Sequence, residues 1–163
     1  MTTLRATATI REATAADLPM VLEHRLAMLE VVFPWPDGDD RDGPRAADRR
    51  RRNRDWLGAH FGVDFFAWIA ERDGEPLASA AIQWFEHPPS PVNPIGREAY
   101  ILNVYTEPRA RHQGLARMLI ERLVEEARKA GVRRVWLRAS DEGRPLYESM
   151  GFGPSNYLQL MLD

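Results

Sequence analysis

The chain reads as an α/β protein (an α+β mixed sheet flanked by helices), and three patterns predict it. Two apolar and aromatic runs, Phe65–Ala70 and Leu77–Phe85, flank Arg72-Asp73-Gly74-Glu75, and Asp-Gly between such runs signals a β-hairpin. Further on, a strand over Ala99–Thr106, a helix from about Gly114 to Ala130 and a strand over Val132–Arg138 follow one another. A strand, a helical crossover and a second strand imply two parallel strands joined right-handedly. Ahead of the hairpin, apolar residues recur at helical spacing up to about Val32, and a second helix is expected from about Arg45 to Phe61.

The first element is a short strand closed by Ile10 and Arg11. Thr14-Ala15-Ala16-Asp17 resembles a capping box with Asp in place of Glu, and Leu18, Val21, Leu22, Leu26 and Leu29 then form one helical stripe. Pro34, Pro36, Gly38 and Gly43 break the pattern, in a loop made acidic by Asp37, Asp39, Asp40 and Asp42. Pro88, Pro89, Pro91 and Pro94 make the stretch from Glu86 to Arg97 a loop within the domain, because the strand after it needs the hairpin as neighbour. Leu115, Met118, Leu119, Leu123 and Ala127 share one face of the next helix, Glu125 and Lys129 form an i,i+4 pair, and Gly131 stops it. A short helix, Arg144–Met150, and a last strand, Tyr157–Leu162, complete one domain spanning residues 1–163.

At 163 residues, with 44% hydrophobic and 28% charged residues, the chain can bury a core without staples. Cysteine is absent, which excludes disulfides, thiolate nucleophiles and cysteine metal sites. No apolar run approaches the roughly 20 residues of a membrane span, and MTTLRATATI lacks the features of a secretory signal. A soluble cytoplasmic protein is expected. A net charge of −2 gives no reason to expect nucleic acid or a membrane as partner. Of the 22 basic residues only Lys129 is lysine, a skew typical of GC-rich coding, so Arg49–Arg52 and Arg54 read as a solvated helix face.

The informative segment is Arg111-His112-Gln113-Gly114-Leu115-Ala116-Arg117, where a strand gives way to a helix. A helix start leaves N–H groups unpaired at the positive end of the dipole, and a pyrophosphate can settle there if nearby side chains are small. Gly114 and Ala116 are small, and Arg111 and Arg117 add charge. Other chemistries lack their motifs: there is no GxxxxGK[ST], HExxH or GxSxG, and His24, His60, His87 and His112 lack metal-ligand spacing, so no metal is expected.

Arg111, Gly114 and Ala116 meet the pattern Q/R-x-x-G-x-G/A, and Leu146-Tyr147-Glu148-Ser149-Met150-Gly151-Phe152 meets LYExxGF. With both motifs in order, the chain resembles the GNAT superfamily of acetyl-CoA-dependent N-acetyltransferases over nearly its whole length. The resemblance implies a GNAT-like three-layer fold with splayed parallel fourth and fifth strands. Acetyl-CoA, the acetyl donor, would pair with backbone of Val104, Tyr105 and Thr106. Its pyrophosphate would rest on the N–H groups of His112, Gln113, Gly114, Leu115, Ala116 and Arg117, beside Arg111. Many relatives hold the cofactor with Asn after the fifth strand; here Ser140 or Asp141 would replace it.

Acetyl transfer needs a neutral amine, a polarised thioester and a stabilised leaving thiolate. The resemblance makes Tyr147 the acid for the sulfur. A phenol near pKa 10 facing a thiol near 8.5 is mismatched by about 1.5 units, roughly 2 kcal/mol, so hydrogen bonding without full transfer can be its role. A backbone N–H near Val104 would hold the oxyanion. Glu98 is the candidate base, directly or through water, with Glu86 and His87 as further options; Asn103 and Tyr105 can only orient groups. The acceptor is a primary amine of a small molecule or peptide. Val31–Pro36, the acidic loop, Trp84 and the proline-rich segment would suit a small cationic amine. A homodimer built partly on Leu158–Leu162 is expected. A CoA-binding regulatory module without turnover and a nucleic-acid binder are the rival classes.

Overall fold

A computed structural model describes residues 7–33 and 43–162. Strand β1 (Thr9–Glu12) leads through a single 3-10 turn into α1 (Leu18–Val32) and α2 (Pro44–His60). The hairpin β2 (Phe65–Arg72) and β3 (Glu75–Glu86) comes next, then β4 (Arg97–Thr106), α3 (Leu115–Lys129), β5 (Val135–Leu137) and α4 (Arg144–Ser149).

The start of α1 is fixed by one carboxylate. Asp17 accepts the Thr14 N–H at 2.7 Å and the Thr14 hydroxyl at 3.0 Å, and Arg11 grips it with two N–H groups at 2.8 and 2.9 Å. Those donors hold the Asp17 carboxyl well below the usual carboxylate range, the Arg11 bonds contributing most. Because the folded pKa is depressed, this stabilisation is present above the unfolded pKa near 3.9 and is lost as pH falls through the folded value.

The five strands lie in the order β1-β2-β3-β4-β5, and every neighbouring pair is antiparallel except β4 and β5. The hairpin turns at Asp73 and Gly74, whose φ values of 53° and 77° match the left-handed pair a two-residue turn requires. Helix α3 covers one face of the sheet, setting Leu115, Leu119, Ile120, Leu123 and Ala127 against Ala78, Ala80, Ile82, Ala99 and Ile101. Small alanines on the strands let the helix approach closely. Helices α1 and α2 cover the other face, where Val21, Leu22 and Leu57 pack on Phe65, Ala67, Ile69 and Ala81. The result is a three-layer mixed α/β fold.

Two features of β4 shape this end of the sheet. Its parallel pairing with β5 covers only Ala99↔Val135, Tyr100↔Trp136 and Ile101↔Leu137, while β4 itself runs on to Thr106. Leu102 to Thr106 therefore continue past the last β5 pair, and the two strands part. On its other side β4 carries a bulge. Ala81 pairs with Leu102 and Ser79 with Tyr105, so Asn103 and Val104 together oppose Ala80. Asn103 takes the left-handed conformation, φ 55°, that asparagine tolerates better than most residues.

The last strand expected from the sequence is not formed. Residues 152–162 carry no ladder, and Leu158, Leu160 and Leu162 are 100%, 81% and 85% exposed. Strand β5 is only three residues long, and the chain leaves Phe152 through Gly153-Pro154, so the apolar alternation meets no edge to pair with. Strand β5 is correspondingly shorter than Val132–Arg138. The acidic loop read between Pro34 and Asp42 lies outside the described residues. No described helix is long and apolar enough to cross a membrane.

Candidate active site

The parting of β4 from β5 opens a cleft of about 360 Å³. Its floor is the end of β4, Val104, Tyr105 and Thr106; one wall is the turn into α3; the others are the last turns of α1 and the segment from Ser140 through Tyr147.

The α3 wall is built by its backbone. His112 and Gly114 both take positive φ, 58° and 82°, which turns the chain sharply into the helix. The Met118 N–H is the first to reach an i−4 carbonyl, that of Gly114 at 3.1 Å, so the amides just before it are the free donors of a helix start. A Cβ on Gly114 would meet no protein atom within 4 Å, so its left-handed backbone is what calls for glycine within the protein. Arg111 donates to the Thr106 carbonyl at 3.3 Å, spanning floor and wall. Arg117 donates to the Ser149 hydroxyl at 2.5 Å and so ties α3 to α4.

Of the cofactor positions expected from sequence, Val104, Tyr105, Thr106, Arg111, His112, Gly114, Leu115, Ala116, Arg117 and Ser140 line this cleft. Gln113 and Asp141 do not. The Gln113 side chain turns away to the Arg109 carbonyl and to Arg72, at 3.2 and 3.0 Å. Glu142 borders the cleft where Asp141 was expected. Ser140 accepts the Gly143 N–H at 3.1 Å, bracing the turn before α4. A Cβ at Gly143 would come within 2.9 Å of the Tyr147 ring, so this glycine makes room for the tyrosine. Sequence reasoning missed Gly143 because the close approach links residues across a turn and has no composition signature.

Tyr147 projects from α4 into the cleft, its ring edge-on to Phe152 at 6.1 Å. Burial, with a smaller contribution from Tyr100, pushes its phenol above the usual value. The hydroxyl is thus held protonated, a worse acid but a dependable hydrogen-bond donor. Beneath Tyr105 lies buried His24, bonded to the Ser79 hydroxyl at 2.8 Å and 3.3 Å from Glu107; burial keeps it neutral, and it serves as packing.

Glu98 is not part of the cleft. It precedes Val104 by six positions on β4, roughly 20 Å at strand rise, and it is buried in an ion pair with Arg134, with His87 3.5 Å away. Glu86 is likewise engaged, by Arg97 at 2.9 Å. Trp84, expected near the acceptor, faces the opposite layer and packs with the α3 core. Among the described residues no group of His, Asp or Glu could hold a metal ion.

A parted pair of parallel strands meeting a helix N-terminus, with a phenol across the opening, is the arrangement that the resemblance implies for an acyltransferase. The chain belongs to the Acetyltransferase (GNAT) family, whose family model matches residues 24–152. It is similar to the GCN5-related N-acetyltransferase from Ralstonia eutropha JMP134, with TM-score 0.82, 30% identity and coverage of 96% of this chain and 99% of that one. It is also similar to a predicted acetyltransferase from Clostridium acetobutylicum, solved with acetyl-CoA, with TM-score 0.82, 29% identity and coverage of 95% and 96%. In sequence, 58 residues are 45% identical to the ribosomal protein bS18-alanine N-acetyltransferase of Escherichia coli strain K12. That match spans 34% of this chain and 39% of the relative.

Proposed function

We propose that this acyltransferase moves the acetyl group of acetyl-CoA to a primary amine by direct attack on the thioester. The observation that carries the reading is the continuation of β4 past its last β5 pair, next to the free amides of the α3 start. That edge is suited to pairing with the amides of a pantetheine arm. The amides from His112 to Arg117, with the Arg111 and Arg117 guanidiniums, suit a pyrophosphate. Acetyl-CoA supplies the activated acetyl group and a thiol leaving group. Tyr147 hydrogen-bonds the departing sulfur through its hydroxyl while keeping its proton, and a backbone N–H near Val104 stabilises the charge that grows on the carbonyl oxygen. The amine gives up its proton to water, with Glu142 the carboxylate bordering the cleft; Glu98, paired with Arg134, is too distant to serve directly. The test is amine-dependent release of CoA from acetyl-CoA, over amino acids, polyamines, aminoglycosides and peptides with free N-termini. Peptides belong in that panel because the Escherichia coli relative is an alanine N-acetyltransferase of a ribosomal protein.

The exposed apolar tail supports a homodimer. Leu158, Leu160, Met161 and Leu162 are apolar and exposed in the single chain, a pattern that marks an interaction surface. Sedimentation at micromolar concentration is expected to give a dimer mass, and removal of residues 157–163 a monomer. A monomer mass for the intact chain would rule the dimer out.

A further inference from the structure

We infer that the acceptor amine also carries an anionic group, a carboxylate, phosphonate or phosphate, held by Arg25 and Arg138 beside Tyr100. The inference rests on the acetyltransferase reading of the adjoining cleft.

Arg25 projects from α1 toward the sheet. Its Nε donates to the Asn53 side-chain oxygen of α2, and one Nη to that of Asn103 at the β4 bulge, each at 2.5 Å. A guanidinium has five N–H donors, so among the described residues these bonds leave three unused. Both partners are neutral amides, and no described carboxylate lies within ion-pair distance. Arg11, Arg50, Arg97, Arg109 and Arg134 each have one. Arg25 is half-buried, and loss of solvent is the main influence on its charge, pulling its pKa down. A cation drawn out of water among neutral partners is costly unless an anion joins it.

Arg138, just past β5, is exposed where Arg25 is half-buried. It stands over the Phe33 ring at 5.5 Å and pairs with no described carboxylate. Arg138 follows Leu137, which pairs with Ile101, and Arg25 bonds Asn103, so both arginines stand at the stretch of β4 just after Tyr100, and both act electrostatically on its hydroxyl. Tyr100 pairs across to Trp136 of β5, their rings 4.3 Å apart. The Tyr147 phenol lies in range of Tyr100 in turn. Tyr147 lines the cleft and, with Trp136 and Arg138, also a neighbouring hollow, so an acceptor could lay an anion against the guanidiniums and turn its amine toward the thioester.

Arg25 also ties α1 to α2 and β4. That accounts for its two bonds and leaves its charge unexplained. The charges at this site are the opposite of those that would favour the cationic amine expected from the acidic loop.

The experiment uses matched acceptors: amino acids against their carboxamides, aminoalkylphosphonates against aminoalkanes, and aminosugar phosphates against aminosugars. The anionic member of at least one pair is expected to be preferred about 30-fold in kcat/KM, the range of a charge-assisted hydrogen-bonded contact. The pair showing it identifies the anion. Arg138→Ala, at an exposed position, should remove most of that preference through KM while acetyl-CoA affinity stays unchanged. Arg25→Gln should do the same; because it also loosens α2, Arg138→Ala is the deciding variant if Arg25→Gln unfolds. Equal or better turnover of the uncharged members throughout would overturn the inference and leave the acetyltransferase reading standing. If acetyl-CoA binds but nothing turns over, the reading of the reaction fails, and binding followed by Trp136 fluorescence decides the inference. Quenching specific to the anionic members and lost in Arg138→Ala supports it, and its absence overturns it.

Discussion

Gly114→Glu is expected to weaken acetyl-CoA binding by at least about 100-fold, close to 2.7 kcal/mol. Two effects act together. Gly114 sits at φ 82°, a conformation that costs a residue with a Cβ roughly 1–2 kcal/mol. The new carboxylate would also stand among the amides and arginines assigned to the pyrophosphate, replacing charge-assisted bonds by repulsion. Gly114→Asn separates the two effects, since asparagine tolerates the left-handed conformation and carries no charge. It should retain much more affinity than the glutamate variant. Calorimetry on folded protein reads both, and unchanged affinity in Gly114→Glu would move the pyrophosphate away from this turn.

The second large effect is catalytic. Tyr147→Phe keeps the ring that packs against Phe152 and removes only the hydroxyl, which bonds to no other described residue. Stability and acetyl-CoA affinity should therefore hold. The turnover number should fall on the order of 10²-fold, as for loss of a positioned hydrogen-bond donor. The fall should persist at saturating amine, because the hydroxyl acts on the departing sulfur rather than on amine binding. A wild-type turnover number, measured where chemistry limits the rate, would assign Tyr147 to packing.

Local patterns were legible in the sequence, and features that depend on tertiary register were not. The Asp73-Gly74 turn and the Leu115, Leu119, Leu123 and Ala127 stripe are local, and they appear as expected. The Arg111–Arg117 turn is also local, since a strand end, a glycine and a helix start lie within seven residues. The bulge at Asn103 is different. It depends on the register against β3, which strand sequence does not announce. Glu98 looked available as a base because its partner Arg134 lies 36 positions away, across the β4–β5 pairing. That Trp84 packs with the α3 layer was not legible for a related reason, since the side a residue takes depends on tertiary register. The tail Leu158–Leu162 shows the converse failure. Its alternation is real, but a strand exists only where another edge receives it, and the short β5 offers little edge. The charge on Arg25, which pairs with no described carboxylate, belongs to the same group, visible only once α1, α2 and β4 are brought together.

The central claim is acetyl transfer from acetyl-CoA to an amine at the cleft between β4 and α3. It is tested most directly by following free CoA with purified protein, acetyl-CoA and the amine panel, and identifying the product by mass spectrometry. The account predicts amine-dependent CoA release with stoichiometric N-acetylated product for at least one member, lost in Gly114→Glu. Tight acetyl-CoA binding with no amine-dependent release across the panel would contradict it and make the chain a CoA-binding module without turnover.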